Sequence, residues 1–235
     1  MALPKLDNTT YTLTVPSTNA KVKFRPFVVR EQKALLIAQQ SENSEVMIDT
    51  LKSVIAACII TDKFNVDELA TFDLEYMFLQ IRAKSAGEIV ELLFTCDECE
   101  TQTKMSFDLT KLKVEFPTGH ATNIKLTNEV GVIMKYPDIN LLKTIESMNA
   151  NDVEAIFDIV IDCISCIYDQ DQMHYAKDQT SEELNEFVNS LTAAQFAKIQ
   201  NFFETMPRLQ QIVKFDCPKC KHHHDKVLTG LSSFF

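Results

Sequence analysis

The sequence predicts an α+β chain: an N-terminal β-hairpin, a helical bundle, and a split pair of Cys-x-x-Cys hairpins with a mainly helical insertion between them. Three observations predict it. Two stretches share one pattern, Phe94-Thr95-Cys96-Asp97-Glu98-Cys99 and Phe215-Asp216-Cys217-Pro218-Lys219-Cys220. Each is preceded by an extended-looking segment (88–95; 209–216) and followed by a polar one (100–109; 221–228). Apolar residues alternate near the start of the chain, the signature of half-buried strands. Glycine is scarce, with Gly87, Gly119, Gly131 and Gly230 the only four in 235 residues, which favours helices over a protein built of tight hairpins.

Taken in order, Tyr11, Leu13 and Val15 fall on one side of a first strand, and Val22 and Phe24 on one side of a second. The Pro16-Ser17-Thr18-Asn19 cluster supplies the turn of this hairpin, and Pro26 closes it. Helices follow over 29–40, with Ala34, Leu35 and Ala38 on one face, and over 45–60, with Val46, Ile48, Leu51, Val54, Ile55 and Cys58 at helical spacing. A third spans 72–85, with Asp73 as its candidate N-cap and Gly87 as its stop. After the first Cys-x-x-Cys hairpin, 112–116, 123–126 and 130–136 read as extended, with Thr127-Asn128-Glu129 as a turn. A helix is expected from Pro137-Asp138 to about Ser147, and the most apolar helix of the chain over 149–168, with Asn151 or Asp152 near its start. A polar loop is expected over 169–180. Ser181-Glu182-Glu183-Leu184 opens another helix with acids in its first turn, where the helix dipole favours them. Thr192 and Gln195 form a capping box for the last one, which carries Phe196, Ile199, Phe202 and Phe203 on one face and ends at Pro207. The expected divisions are 1–87, 88–110, 111–208 and 209–235.

A Cys-x-x-Cys at a hairpin tip is a zinc knuckle, and two facing knuckles place four thiolates around one tetrahedral Zn²⁺. Cys96, Cys99, Cys217 and Cys220 are the candidate ligands. Ordinary zinc ribbons separate their pairs by roughly 15–20 residues. Here the whole of 100–216 intervenes, so the arrangement reads as a split, zinc-ribbon-like pair that ties the middle of the chain to its end. The alternative is two unrelated pairs. A thioredoxin-like motif should open a helix in a βαβ pattern, and neither pair does. Acidic Asp97, Glu98 and Glu100 on one knuckle complement Lys219 and Lys221 on the other, with Lys214 and Lys226 nearby. A third pair, Cys163 and Cys166, falls in the apolar helix, where spacing of three puts both thiols on one face and core packing is the expectation.

The net charge of −10 disfavours general nucleic-acid binding, which needs a basic face. The N-terminus lacks the apolar core of a signal peptide, and no apolar run is long enough to span a bilayer. Seven cysteines in that setting point to a reducing cytoplasm. No catalytic constellation emerges: His120 and His174 read as exposed loop residues without the partners that define an acid or base. His222, His223 and His224 follow Cys220 too closely for a Cys₂His₂ spacing and read as solvated strand residues, with His222 a minor candidate as substitute ligand. A closed Cys₄ site is structural, not catalytic. The terminal Gly230-Leu231-Ser232-Ser233-Phe234-Phe235 ends in two aromatics, which suggests docking into the chain's own core or into a partner's groove.

The opening Ala2-Leu3-Pro4-Lys5-Leu6, then Lys23-Phe24-Arg25-Pro26-Phe27, the two knuckles and the terminal Gly230-Leu231-Ser232-Ser233-Phe234-Phe235 occur in a recognisable order. In these features the chain resembles a family of baseplate proteins of T-even-type contractile-tailed bacteriophages, described as baseplate hub subunits or hub-assembly chaperones. The resemblance runs over nearly the whole chain. It implies a non-enzymatic role with no small-molecule substrate, in the host cytoplasm during tail assembly or in the virion tail baseplate. The partners implied are other baseplate hub or tail proteins. The only site residues it carries over are the four knuckle cysteines. Two rival readings remain: a zinc-ribbon nucleic-acid or transcription-associated module using Lys214, Lys219, Lys221 and Lys226, and a thiol–disulfide enzyme using Cys217 and Cys220.

Overall fold

The computed structural model describes residues 8–141, 144 and 153–234. Two compact units divide the chain: Met1–Glu115 together with Arg208–Phe235, and Phe116–Pro207.

The first unit opens with strands β1 (Tyr11–Thr14) and β2 (Lys21–Phe24), paired antiparallel with Leu13 opposite Val22. The alternation of the sequence buries Leu13, Val15, Val22 and Phe24 together. Helix α1 (Val29–Gln40) starts without a side-chain cap at Val28. Instead Glu31 reaches back, and its Oε2 accepts the Val28 backbone N–H at 2.8 Å. Helix α2 (Ser44–Cys58) is capped by Asn43, whose Oδ1 accepts from the backbone N–H groups of Glu45 and Val46. Its buried face is Ile48, Leu51, Val54, Ile55 and Cys58, as its spacing predicts, but Val46 in the first turn is exposed.

Helix α3 (Thr71–Ala86) buries Met77, Phe78, Leu79 and Ile81 completely and stops at Gly87, whose φ of +115° only glycine adopts without strain. Asp73 is not its N-cap: the helix begins two residues earlier, after Ala70, and Asp73 lies inside it, fully buried. Its carboxylate accepts the Ser17 backbone N–H at 2.9 Å and the Ser17 hydroxyl, bracing the turn of the first hairpin.

Strands β3 (Ile89–Thr95) and β4 (Gln102–Asp108) form one hairpin, and β10 (Arg208–Asp216) and β11 (His223–Thr229) another. A short β5 (Val114–Glu115) pairs with the start of β10. Leu79 and Ala83 of α3 pack with Val90, Leu109, Leu112 and Leu209, so one helix supports the bases of both hairpins. Leu231, after the second hairpin, packs against this same cluster and donates its N–H to Glu75 Oε1 at 3.2 Å. The side chains of the terminal aromatics Phe234 and Phe235, whose docking the sequence suggests, lie outside the described residues.

The second unit holds an antiparallel sheet in the order β6-β7-β8-β9, from Asn123–Lys125, Gly131–Met134, Ile164–Tyr168 and Met173–Tyr175. Gly131 is required here: a Cβ would lie 2.3 Å from the Tyr168 hydroxyl oxygen and 2.8 Å from the Ile124 carbonyl oxygen. Thr127 Oγ1 accepts from the N–H groups of Glu129 and Val130 and so builds the expected turn. Helices α4 (Val153–Asp162), α5 (Ser181–Asn189) and α6 (Ala193–Glu204) cover the sheet around Val132, Val160, Ile164, Leu184, Ile199 and Phe202. Thr180 with Glu183 and Thr192 with Gln195 form reciprocal capping boxes at the starts of α5 and α6.

Two expectations fail in this unit. The apolar run to Tyr168 is not one helix: α4 ends at Asp162, and β8 begins at Ile164. Ile164, Ile167 and Tyr168 are β-branched or aromatic, and pairing on both sides, with β7 and β9, outweighs the helical pattern. Cys163 and Cys166 therefore do not share a helix face, although both are buried as expected. Nor is 169–180 a plain loop, because it contains β9 and a turn in which Asp169 Oδ1 accepts from the N–H groups of Asp171 and Gln172. Asp138 does cap a helical start at 139–141 through Asn140 and Leu141; the rest of that expected helix, and Asn151 and Asp152, lie outside the described residues.

Candidate metal centre

The two knuckles are built alike, bond for bond. In the first, the Cys96 N–H donates to the Thr101 carbonyl at 3.0 Å and the Glu100 N–H to the Cys96 carbonyl at 2.9 Å. In the second, the Cys217 N–H donates to the His222 carbonyl at 2.9 Å and the Lys221 N–H to the Cys217 carbonyl at 3.0 Å. The residue after each second cysteine turns the chain in the left-handed region, Glu100 at φ 56° and Lys221 at φ 61°. The matched phenylalanines explain themselves: the Phe94 and Phe215 rings lie 5.4 Å apart, and Phe107 joins them at 6.0 Å from Phe94. This aromatic contact, worth more than its buried area alone, holds the hairpin tips face to face.

The four sulfurs that the sequence singles out converge. All lie within 4.8 Å of one another, and among the described residues Cys96, Cys99, Cys217 and Cys220 are the one His, Cys, Asp or Glu group so arranged. Across the hairpins Cys96 Sγ is 3.6 Å from Cys220 Sγ, and Cys99 Sγ is 3.5 Å from Cys217 Sγ. A tetrahedral Zn²⁺ with bonds of about 2.3 Å needs sulfur–sulfur edges of roughly 3.8 Å, so the donor set fits such an ion in number, type and spacing.

Electrostatics point the same way. Cys99 is held down to about 6, first by the Thr101 hydroxyl, which lies 3.3 Å from its sulfur, and then by the Thr101 N–H. Cys217 is lowered, first by the Cys220 N–H. Cys220 receives the His222 N–H, yet partial desolvation and its contacts with the three neighbouring sulfurs push its pKa up to about 12. Crowded thiols cannot all ionise unaided, and a divalent cation removes that conflict. Of the complementary charges, Lys226 Nζ bridges to Asp97 Oδ2 at 2.5 Å, while Lys214 pairs with Asp225 within its own hairpin.

The histidines depart from expectation. His224 is not solvated: it is 3% exposed, its Nε2 lies 3.2 Å from Cys96 Sγ, and its ring stacks on Phe215 at 4.8 Å. Strand register could have located it, since His224 is the cross-strand partner of Phe215 and so shares its inward face. His222 and His223 are exposed, as expected, and His222 is not among the converging ligands. His120 is half-buried against Tyr136 and Phe202. Thr205 gives its hydroxyl proton to the Asn201 carbonyl, so His120 Nδ1 donates to Thr205 Oγ1 at 3.0 Å and Nε2 accepts from the Tyr136 hydroxyl at 2.9 Å. Burial lowers its pKa and keeps the ring neutral. His174 sits on β9, 3.4 Å from Asp169. Cys163, driven up to about 12 by burial, and Cys58, driven up to about 11 by burial, are core thiols.

Comparison with known proteins gives one family: the model described as T4 bacteriophage base plate protein matches residues 8–235. No curated protein and no solved structure matches the chain.

Proposed function

The chain belongs to the T4 bacteriophage base plate protein family, and from that premise we propose that it is a non-enzymatic subunit or assembly chaperone of the baseplate hub, stabilised by one structural zinc. The convergence of four thiols from two hairpin tips 118 or more residues apart carries the zinc reading. Cys96, Cys99, Cys217 and Cys220 would hold the ion, and a bound zinc supplies folding energy and cross-links distant segments. A site closed by four protein ligands leaves no open position for a substrate. His120, with both ring nitrogens engaged by Thr205 and Tyr136, supports the non-enzymatic reading.

The hub assignment draws on the family match, on the resemblance of the terminal and knuckle sequences, and on a surface whose net charge of −10 suits protein partners better than nucleic acid. The protein then acts in the host cytoplasm while tails assemble or resides in the tail baseplate. Co-expression with hub subunits should yield a complex that survives gel filtration. Failure to bind any tail protein, or a mobility shift of nucleic acid at low salt, would overturn this assignment in favour of a nucleic-acid module.

A further inference from the structure

The zinc reading leaves one buried polar side chain beside the four sulfurs without a role. We propose that His224 is the positioning residue of the metal centre, donating its Nε2–H to the Cys96 sulfur and holding that sulfur as a ligand. The proposal rests on the zinc reading and deepens it.

Four thiolates around a dication leave a net charge of about −2, which must be spread over hydrogen-bond donors or solvent. The four sulfurs do not have equal access to either. Cys220 is exposed and Cys99 half-exposed, with the Thr101 hydroxyl 3.3 Å from the Cys99 sulfur. Cys96 is 1% exposed, so water cannot serve it. His224 Nε2, 3.2 Å away and equally buried, is the donor on that side. A metal-bound thiolate carries no proton, so the hydrogen of this contact must sit on Nε2, which fixes the tautomer. The ring is clamped in the necessary plane: Phe215 stacks on it at 4.8 Å and His222 meets it edge-on at 4.8 Å. Nδ1 lies 3.6 Å from Asp97 Oδ2, outside hydrogen-bond length, and Lys226 engages that carboxylate at 2.5 Å. Asp97 also follows Cys96 in the chain, so Lys226 and His224 brace the first knuckle from the second hairpin through Asp97 and Cys96.

Two substitutions separate donation from packing. His224→Phe keeps an aromatic ring on Phe215 and removes the donor; His224→Gln removes the ring and keeps an N–H where Nε2 stands. Metal affinity is measured on the full chain by competition with a chromophoric chelator. The sulfur-to-metal charge-transfer band of the cobalt form gives a further readout. The phenylalanine variant should bind zinc about 10-fold more weakly and show its charge-transfer band at lower energy, and the glutamine variant should stay close to wild type. A phenylalanine variant equal to wild type, or a glutamine variant as impaired as phenylalanine, overturns the proposal. Wild-type stoichiometry is read first, because a chain that binds no metal overturns the zinc reading itself.

Discussion

Replacing Asp73 with alanine removes the acceptor for both donors of Ser17, the backbone N–H at 2.9 Å and the hydroxyl. An orphaned buried donor costs roughly 1–3 kcal/mol. Ser17 is half-buried, so water recovers part of that, and Asp73→Ala should lower stability by about 2 kcal/mol. Asp73→Asn should cost less than about 1 kcal/mol, because the amide oxygen still accepts from Ser17 and no charge is left to bury. Burial raises the Asp73 carboxyl above its ordinary range despite the Ser17 hydrogen bonds. The folded state therefore holds that proton more tightly than the unfolded chain does. The resulting stabilisation is fully present below the ordinary carboxylate range and is lost as pH rises through the folded value. Wild type should accordingly gain on the asparagine variant as pH falls through the raised folded value toward the ordinary carboxylate range. Urea midpoints across that pH range, with slopes checked for constancy, measure both effects. An alanine variant as stable as wild type, or an asparagine variant as damaged as alanine, refutes the bracing role of this carboxyl group.

Further outcomes follow from other contacts. Burial acts to raise the Glu31 carboxyl, but the Arg30, Val28 and Arg25 hydrogen bonds prevail and bring it from 4.5 down to about 2. At 1.36 kcal/mol per pH unit that displacement is roughly 3 kcal/mol, cut to about 1–2 by the solvent screening of Arg30, which is 80% exposed. The contribution is present above pH 4.5 and lost as pH falls through about 2, so the stability gap between wild type and Glu31→Gln should close over that window; an unchanged gap would contradict it. Phe215→Ala removes the ring that touches both Phe94 and His224 and should cost about 3 kcal/mol, with a matching loss of metal affinity in the chelator competition. Thr192→Ala should cost roughly 0.5–2 kcal/mol by uncapping α6, detectable as a lower urea midpoint without loss of bound metal.

The elements most legible in the sequence are those whose determinants are local. The Thr192–Gln195 capping box, the Gly87 stop and the alternation of Leu13, Val15, Val22 and Phe24 each act within a few residues, and the structure contains all of them. The paired knuckles were legible because the same chemistry is written twice, down to the phenylalanine two residues before each first cysteine. What was hidden depends on distant partners. Ile164–Tyr168 is as apolar as the helix before it, and only β7 and β9 make it a strand. Asp73 looked like a cap because its partner, Ser17, is 56 residues away. His224 looked solvated because its burial arises from Cys96, 128 residues earlier.

The native mass of the purified protein, before and after acid release of metal, tests the central claim most directly. One zinc per chain, lost together with the fold of the knuckles, is the predicted result. A chain that carries no metal, and whose cysteines pair on mild oxidation, would contradict it.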